Sequence, residues 1–252
     1  MTHQHFDKAQ CKQLTTNNTH PSTPSQEVES KRGESRNKQP ICLHIGCGLV
    51  IAEGWKNIDA SPSLRLVKLP IIGRFLIPIF NLPEWSPNAQ YGNIVKGLDI
   101  TPNSCDLIYA SHVLEHLSII DFHLAMERIF SYLKPHGIFR AVVPDLEHLI
   151  NIYIRERKEE KGASEAAINF MTNSLVGHWG TRKSVGDRLR EMFSNNRHQW
   201  MWDEPSLKEA FFEHGFTDVR GCQYQEWRDD RFASVEHPAN FENAICIEGI
   251  KK

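Results

Sequence analysis

One stretch of the chain combines residue types and spacing that suit the binding of a nucleoside. An apolar run from Ile41 to Ile45 leads directly into Gly46-Cys47-Gly48, and Asp59 follows eleven positions after Gly48. Glycines let the backbone approach a ligand where a Cβ would clash. A carboxylate at the end of the next strand can accept hydrogen bonds from two ribose hydroxyls. The pattern therefore predicts the nucleotide half of a doubly wound sheet.

The spacing argues against a dinucleotide as the ligand. A dinucleotide fold needs G-x-G-x-x-G, a full helix and an acid about 20 residues further on. Here Ile51 stands at the third glycine position and Gly54 interrupts the short segment before Asp59. The sequence also contains no G-x-x-x-x-G-K-[ST] phosphate loop. We therefore expect a nucleoside without a pyrophosphate, for which S-adenosylmethionine is the obvious candidate, and a nicotinamide oxidoreductase is disfavoured.

Four further segments carry a resemblance to a known family. They are Leu98-Asp99-Ile100, the run from Ser104 to Leu117, the run from Leu133 to Arg140, and Val143-Pro144-Asp145-Leu146. In this order and spacing, the chain resembles a class I S-adenosylmethionine-dependent methyltransferase of the type-11 group. It is similar to predicted methyltransferases of bacterial surface-glycan pathways. The resemblance covers about residues 41–252, and "SHVLEHL" and "VPDL" are its most specific parts.

The resemblance implies an α/β fold with S-adenosylmethionine as the cofactor. The fold would be a Rossmann-like, doubly wound, seven-stranded sheet, mostly parallel with an antiparallel strand near the C-terminus and with helices on both faces. Asp99 would accept the adenine amino group and Ile100 would pack on the ring. The family usually has an acid where this chain has His44. The expected cofactor-binding residues are His44, Gly46, Cys47, Gly48, Asp59, Ala60, Asp99, Ile100 and Ser111.

The segment from His112 to His116 has several interpretations. H-x-x-E-H is an inverted zinc-protease pattern, but a position after a parallel strand at the cofactor edge disfavours a protease. The segment also resembles the E-x-x-E-H of methyltransferases that modify vicinal diols and bind a divalent metal. His112, Glu115 and His116 would then share one helix face, with His178 or His198 completing the set. In the plainest interpretation, Glu115 caps a helix and His116 packs.

Without a metal, we expect His112 to be the catalytic general base, because a neutral imidazole can take a hydroxyl proton near pH 7. The acceptor pocket is predicted from the aromatic-rich segment 198–203 and the loop 224–237. The expected substrate contacts are His198, Trp200, Tyr224 and Arg228, although core packing is an equal alternative for Trp200 and Trp202. Arg140 is either near the site or a buried ion-pair partner.

The predicted activity is O-methylation of a sugar, a glycolipid or another small polar acceptor. The alternative is a catalytically silent binding module that keeps the fold and the cofactor pocket. The methyltransferase and the binding module should bind S-adenosylhomocysteine, whereas a nicotinamide oxidoreductase should bind NAD. Equilibrium binding measurements with the two ligands would distinguish these classes.

The chain is predicted to hold one domain after a polar tail. Residues 1–40 have almost no large apolar side chains, so they are expected to be disordered. Residues 41–252 would form the methyltransferase domain, with insertions at 64–90 and 146–200. Strands are predicted at about 41–45, 55–59, 91–96, 105–110, 138–143, 216–224 and 243–250, and helices at about 113–133 and 205–214.

Composition narrows the partners and the location. The formal net charge is −2 and no Lys/Arg stripe stands out, which argues against a nucleic-acid surface. None of the six cysteines forms a C-x-x-C pair, as expected in a reducing cytoplasm. No secretory signal or transmembrane segment is predicted. The apolar insertion at 64–80 could make peripheral membrane contact, and the oligomeric state is left open.

Overall fold

A seven-stranded sheet forms the centre of the part of the chain that this computed structural model describes, which is residues 40–69, 82–159, 162–177 and 197–252. The strands are β1 (Ile41–Ile45), β2 (Trp55–Asp59), β3 (Ala89–Tyr91), β4 (Cys105–Ser111), β5 (Leu133–Pro144), β6 (Phe216–Cys222) and β7 (Ala244–Lys251). Their order is β3-β2-β1-β4-β5-β7-β6. The first five strands pair in parallel, and β7 is antiparallel to both of its neighbours. The predicted fold class is confirmed.

Alternate residues of each strand point into two different cores, as the period of a strand requires. In β4, Ile108 and Ala110 pack into one core, whereas Leu107 and Tyr109 pack into the other. Both sets are buried. A sheet that is buried on both faces is typical of parallel strands covered by layers on each side.

The helices begin and end where the sequence supplies caps. They are α1 (Pro62–Val67), α2 (Ile119–Tyr132), α3 (Leu146–Lys158), α4 (Ala166–Asn173) and α5 (Glu204–Glu213), with 3-10 turns at Leu114–His116, Asp230–Ser234 and Pro238–Phe241. The Ser118 side chain caps α2 by accepting the Asp121 N–H at 3.2 Å. Asp203 and Ser206 form a capping box at α5, and Gly215 follows that helix at φ +88°.

Three predicted boundaries are wrong. The third strand is 89–91 and not 91–96, because a turn closed by the Gly97 N–H on the Ile94 carbonyl follows it. The single helix predicted at 113–133 is a 3-10 turn and then α2, because Ser118 is extended and caps a new helix. The fifth strand begins at Leu133 and not 138, because Leu133 pairs with Cys105 before an irregularity in the register. Residues 1–39, 70–81, 160–161 and 178–196 lie outside the described residues. Nearly all of the predicted tail and parts of both predicted insertions, including most of 64–80, therefore lie outside them too.

The long segment between β6 and β7 covers one face of the sheet. We call residues 223–243 the β6–β7 loop; its Phe232 and Val235 are buried in the same core as Tyr109. Arg140 of β5 is fully buried beneath the loop and donates hydrogen bonds to the carbonyls of Gln223 and Glu226 at 2.9 Å each.

Arg140 also pairs with two buried carboxylates. Its Nη1 lies 2.8 Å from Glu248 Oε1 on the adjacent strand, and its Nε donates to Glu236 of the β6–β7 loop. Burial works against the charge, but the neighbouring acids raise the pKa of Arg140 above its ordinary value. Of the two interpretations of Arg140, the structure therefore supports the buried ion-pair partner. Its hydrogen bonds and ion pairs also connect the β6–β7 loop to the sheet.

Candidate active site

The glycine turn after β1 adopts a left-handed conformation that suits glycine. Gly46 has φ +68° and Gly48 has φ +54°. The N–H groups of Gly46 and Cys47 both donate to the Ile58 carbonyl, at 2.8 and 3.1 Å. A Cβ on Gly46 would lie 2.2 Å from Val113 Cγ2, so the segment after β4 lies directly against the turn. A Cβ on Gly48 would meet no described atom within 4 Å, which leaves open space for a ligand along the backbone.

Asp59 connects the end of β2 to this turn. The residue is 8% exposed; its Oδ2 accepts the Gly48 N–H at 2.9 Å and its Oδ1 accepts the Ser61 N–H at 2.7 Å. Each carboxylate oxygen has a further lone pair. The carboxylate is therefore held in one orientation beside the open side of the turn, as an anchor for two ribose hydroxyls requires.

The His44 side chain is buried among neighbouring strands and does not face the carboxyl edge of the sheet, where the glycine turn lies. It is 4% exposed, its Nδ1 is 3.2 Å from Asn57 Oδ1, and its ring centroid is 5.5 Å from that of Tyr109. Burial lowers the pKa of His44 to about 4, so the ring is neutral near pH 7. These contacts belong to the core beneath the turn and do not favour the predicted contact with the cofactor.

Sequence reasoning missed Asn57. This buried side chain accepts the Ala52 N–H at 3.0 Å and donates to the carbonyls of Ala52 and Trp55 at 2.9 Å each. It therefore closes the short connection between β1 and β2. The alternation in the sequence of β2 was a usable signal, because it places Asn57 on a buried face.

The other predicted cofactor residues differ in their surroundings. Cys47 is 3% exposed and lies in a buried cluster with Leu64 and Ala89, and its thiol donates to the Gly48 carbonyl at 3.6 Å. Ala60 and Asp99 are exposed, and Ile100 and Ser111 are each 9% exposed. Their contacts with a cofactor stay predictions.

His112 does not have the surroundings of a general base. Its Nε2 is 3.0 Å from the Asn240 carbonyl oxygen and its Nδ1 is 3.2 Å from Glu115 Oε1. Burial opposes a charge on the ring, but the interaction with Glu115 and the Asn240 carbonyl raise the pKa of His112 above its ordinary value. Both ring nitrogens thus face acceptor atoms of the protein, which does not favour a general base, and the catalytic role of His112 stays a prediction. Asn240 contributes through its backbone, so no side-chain pattern could have revealed it.

The expectation that His112, Glu115 and His116 share one helix face is wrong. His112 has φ +53° and precedes a 3-10 turn that contains only the other two residues. His198, 82 positions after His116, and not His112, joins Glu115 and His116 in a cluster of three candidate metal ligands. One ligand atom from each of these three residues lies within 4.8 Å of the others. His178, the other expected partner, lies outside the described residues.

The structure brings together only some of the predicted acceptor residues. His198 lies at the Glu115 cluster, and Trp200 follows it with 42% of its surface exposed. Trp202 is a core residue that packs on Phe122 at 4.4 Å between ring centroids.

The other two acceptor candidates make contacts within the fold. Tyr224 packs on Phe241 of the β6–β7 loop, with 5.4 Å between ring centroids. Arg228 pairs with Asp218 of β6 at 2.9 Å and lies 3.6 Å from Glu248. A substrate role for Arg228 would therefore require it to leave an ion pair.

The sheet order, with five parallel strands followed by the antiparallel pair β7 and β6, defines a Rossmann-like domain of the methyltransferase type. A family model described as "Methyltransferase domain" matches residues 22–220. The chain belongs to this family.

Other relatives are distant. A segment of 112 residues is 24% identical to the polyadenylation and cleavage factor homolog 5 of Arabidopsis thaliana; it makes up 44% of this chain and only a quarter (25%) of that protein.

Solved structures with a similar fold include a complex of the Haloferax volcanii Trm112 methyltransferase activator with a methyltransferase (16% identity, 84% of this chain and 82% of that one, TM-score 0.41). Another is a SAM-dependent methyltransferase from Thermotoga maritima (14% identity, 84% and 82%, TM-score 0.41). A third is a Haemonchus contortus phosphoethanolamine N-methyltransferase in complex with S-adenosylhomocysteine (13% identity, 84% and 48%, TM-score 0.42).

Proposed function

We propose that this protein binds S-adenosylmethionine and transfers its methyl group to a hydroxyl of a sugar, a glycolipid or another small polar acceptor. The observation that carries the cofactor assignment is the Gly48–Asp59 hydrogen bond of 2.9 Å beside the open side of the turn. A carboxylate fixed in this way is ready for ribose hydroxyls, and the short connection before it leaves no helix for a pyrophosphate.

The other predicted cofactor residues would contact the remaining parts of S-adenosylmethionine. The backbone of residues 46–48 would run along the methionine and ribose, Ile100 would pack on the adenine, and the exposed Asp99 carboxylate would accept the adenine amino group. When bound, the sulfonium supplies the methyl group for an in-line displacement. The chain then has to align the acceptor and exclude water.

The acceptor is expected at the carboxyl end of β4, beside Ser111 and the segment 112–116. Trp200 supports a sugar or glycolipid, because it exposes 42% of its surface and its backbone N–H, which donates to the Glu115 carbonyl at 3.1 Å, holds it beside the segment 112–116. Aromatic faces pack well on the apolar faces of sugars. We also propose that the protein belongs to the type-11 group of methyltransferases and acts in a surface-glycan pathway.

We further propose that the protein acts in the cytoplasm and that its acceptor is not a nucleic acid. The net charge of −2 does not favour a nucleic acid as acceptor. Five described cysteines are free thiols, which agrees with a reducing cytoplasm. Among the described residues, no helix has the length and apolarity to cross a bilayer.

Two measurements test the proposal. Calorimetry should show binding of S-adenosylhomocysteine but not of NAD. Transfer of labelled methyl from S-adenosylmethionine should then be followed across a panel of nucleotide-sugars and glycolipids. Binding without transfer to any hydroxylated acceptor would favour the silent binding module, and the absence of binding would refute the proposal.

A further inference from the structure

Glu115 is a buried carboxylate without a hydrogen bond in the described part of the chain. It is 0% exposed, and neither Oε1 nor Oε2 has a hydrogen-bond partner there. The 3.2 Å approach of His112 Nδ1 to Oε1 is an ion-pair contact without hydrogen-bond geometry. Burying a carboxylate is costly unless a cation or several donors compensate it. Oε2 has no such partner among the described residues.

Besides His112, two further imidazoles lie near this carboxylate. His198 Nε2 is 3.9 Å from Glu115 Oε1, and the ring centroids of His116 and His198 are 5.0 Å apart. His198 is 9% exposed, and its Nδ1 has no hydrogen-bond partner in the described residues. Ligand atoms at 2.0–2.2 Å from one metal ion lie roughly 3–4 Å apart. The ligand atoms of the cluster lie within 4.8 Å of one another, so a small closing movement of the side chains would bring them to that spacing.

Backbone and side-chain hydrogen bonds hold the cluster together across the sequence. The N–H groups of Gln199 and Trp200 both donate to the Glu115 carbonyl, at 2.7 and 3.1 Å. Gln199 Nε2 donates to the His116 carbonyl at 2.7 Å. His116 Nδ1 is 2.9 Å from the Arg197 carbonyl, which fixes the ring and leaves Nε2 as the ligand atom. Outer contacts of this kind are usual for metal-binding histidines.

We propose that Glu115, His116 and His198 bind one divalent first-row transition-metal ion. Two imidazoles and one carboxylate suit Zn²⁺, Mn²⁺ or Co²⁺. Mg²⁺ and Ca²⁺ prefer sets made of oxygen ligands. Three protein ligands leave coordination positions open, as in catalytic metal sites.

The position of the site suggests its use, and this step rests on the proposed function. The segment 112–116 lies against the glycine turn through Val113, so the metal would lie close to the cofactor. An acceptor hydroxyl in an open coordination position would become more acidic. This would supply the deprotonation that His112 is not placed to perform.

Metal binding can be tested without cofactor or acceptor. The full chain, stripped with a chelator and dialysed, is titrated by calorimetry with Zn²⁺, Mn²⁺ and Mg²⁺. Because the chain has 13 histidines, variants are needed to locate the site. Glu115→Gln keeps the side-chain volume and His198→Asn removes an imidazole. The control is His136→Asn, because His136 is exposed at φ +66°, a conformation that Asn tolerates.

The expected result is one equivalent of Zn²⁺ or Mn²⁺ in the wild type and in His136→Asn. Loss of a direct ligand should weaken this binding by more than the roughly 100-fold that outer-shell changes reach. Unchanged affinity in Glu115→Gln and His198→Asn, or tighter binding of Mg²⁺ than of Zn²⁺ and Mn²⁺, would overturn the proposal.

A measurement on the wild type covers the case in which a variant fails to fold. Co²⁺ bound by two imidazoles and a carboxylate should give a ligand-field absorption spectrum that Zn²⁺ displaces at one equivalent. The absence of such a spectrum would overturn the proposal. Because S-adenosylhomocysteine binding is measured separately, a protein that binds S-adenosylhomocysteine but no metal refutes this inference alone.

Discussion

Asp59 Oδ2 accepts the backbone N–H of Gly48 at 2.9 Å, so the acid that ends β2 also holds the turn that ends β1. The two features predicted to contact one cofactor are thus bonded to each other before any cofactor arrives. Its other oxygen accepts the Ser61 N–H at the start of α1. One carboxylate thereby orders three neighbouring segments at the carboxyl edge of the sheet.

Asp59→Ala should weaken the binding of S-adenosylhomocysteine by about 2–4 kcal/mol, because two charge-assisted hydrogen bonds to the ribose are lost. Calorimetry measures the change. Asp106→Ala is the matched control: Asp106 Oδ2 also accepts a backbone N–H, from Ile41 at 2.9 Å, but at the opposite edge of the sheet. The control should lose stability and keep its affinity. Equal affinities in the wild type and Asp59→Ala would refute the ribose assignment.

The sequence was sufficient to predict the turn, the acid and the sheet, because each depends on short-range features. Glycines at positive φ and apolar strands leave local patterns. The hydrogen bond between Gly48 and Asp59 was not predicted, because it joins the ends of two different strands. The contacts of His44 with Asn57 and Tyr109 were not predicted, because they join side chains of three different strands and leave no local pattern.

His112→Ala should reduce turnover by less than the roughly 10²-fold minimum expected for loss of a general base. The reason is that both ring nitrogens already face Glu115 and the Asn240 carbonyl. His112→Asn is the matched variant, because Asn tolerates the φ of +53° at this position. It should be more stable than His112→Ala in urea unfolding. A loss of 10²–10⁴-fold in both variants, with unchanged stability, would restore the base assignment.

The cluster of Glu115, His116 and His198 shows where sequence reasoning ends. The H-x-x-E-H spacing suggested one helix face, but the chain leaves β4 in a left-handed residue and continues as a 3-10 turn. Helical spacing rules do not apply to such a segment. The place of His198 depends on bonds from Gln199 and Trp200 to a carbonyl more than 80 residues earlier, which no local pattern records.

The stability of the protein should fall as the pH is lowered through the range in which His44 is kept neutral. The pKa of His44 is about 4 in the folded state, against 6.5 for an ordinary histidine. Below pH 6.5 His44 becomes protonated in the unfolded chain, whereas in the folded protein it stays neutral until about pH 4. Lowering the pH through this range therefore progressively disfavours folding. The full effect is about 3 kcal/mol. Urea unfolding at several pH values measures it.

His44→Gln is the control for this pH dependence, because it removes the titrating group and keeps a polar side chain near Asn57. The carboxylates titrate in both proteins, so the difference between the two curves reports on His44. The variant should lose less stability than the wild type between pH 6.5 and pH 4. Parallel curves would show that His44 does not remain neutral in the folded state.

Arg140→Met should destabilise the protein by about 3–5 kcal/mol, because it leaves the buried carboxylate of Glu236 without its cation. Glu248 keeps a second cation, Arg220, at 3.1 Å. Urea unfolding measures the loss. Lys134→Met is the matched control: Lys134 pairs with Asp106 at 2.8 Å, but both side chains are partly exposed. Removing such a pair should cost less than about 1 kcal/mol.

The double variant Arg140→Met/Glu236→Gln separates the charge from the packing. It removes the Glu236 carboxylate that Arg140→Met leaves without a cation, so it should be more stable than Arg140→Met alone. Arg140 also holds the Gln223 and Glu226 carbonyls, so the β6–β7 loop should become more sensitive to limited proteolysis in both variants. Because Asn240 of this loop contacts His112, loosening the loop should also lower turnover without changing the affinity for S-adenosylhomocysteine. A loop that stays protected in Arg140→Met would show that Phe232 and Val235 hold it by packing alone.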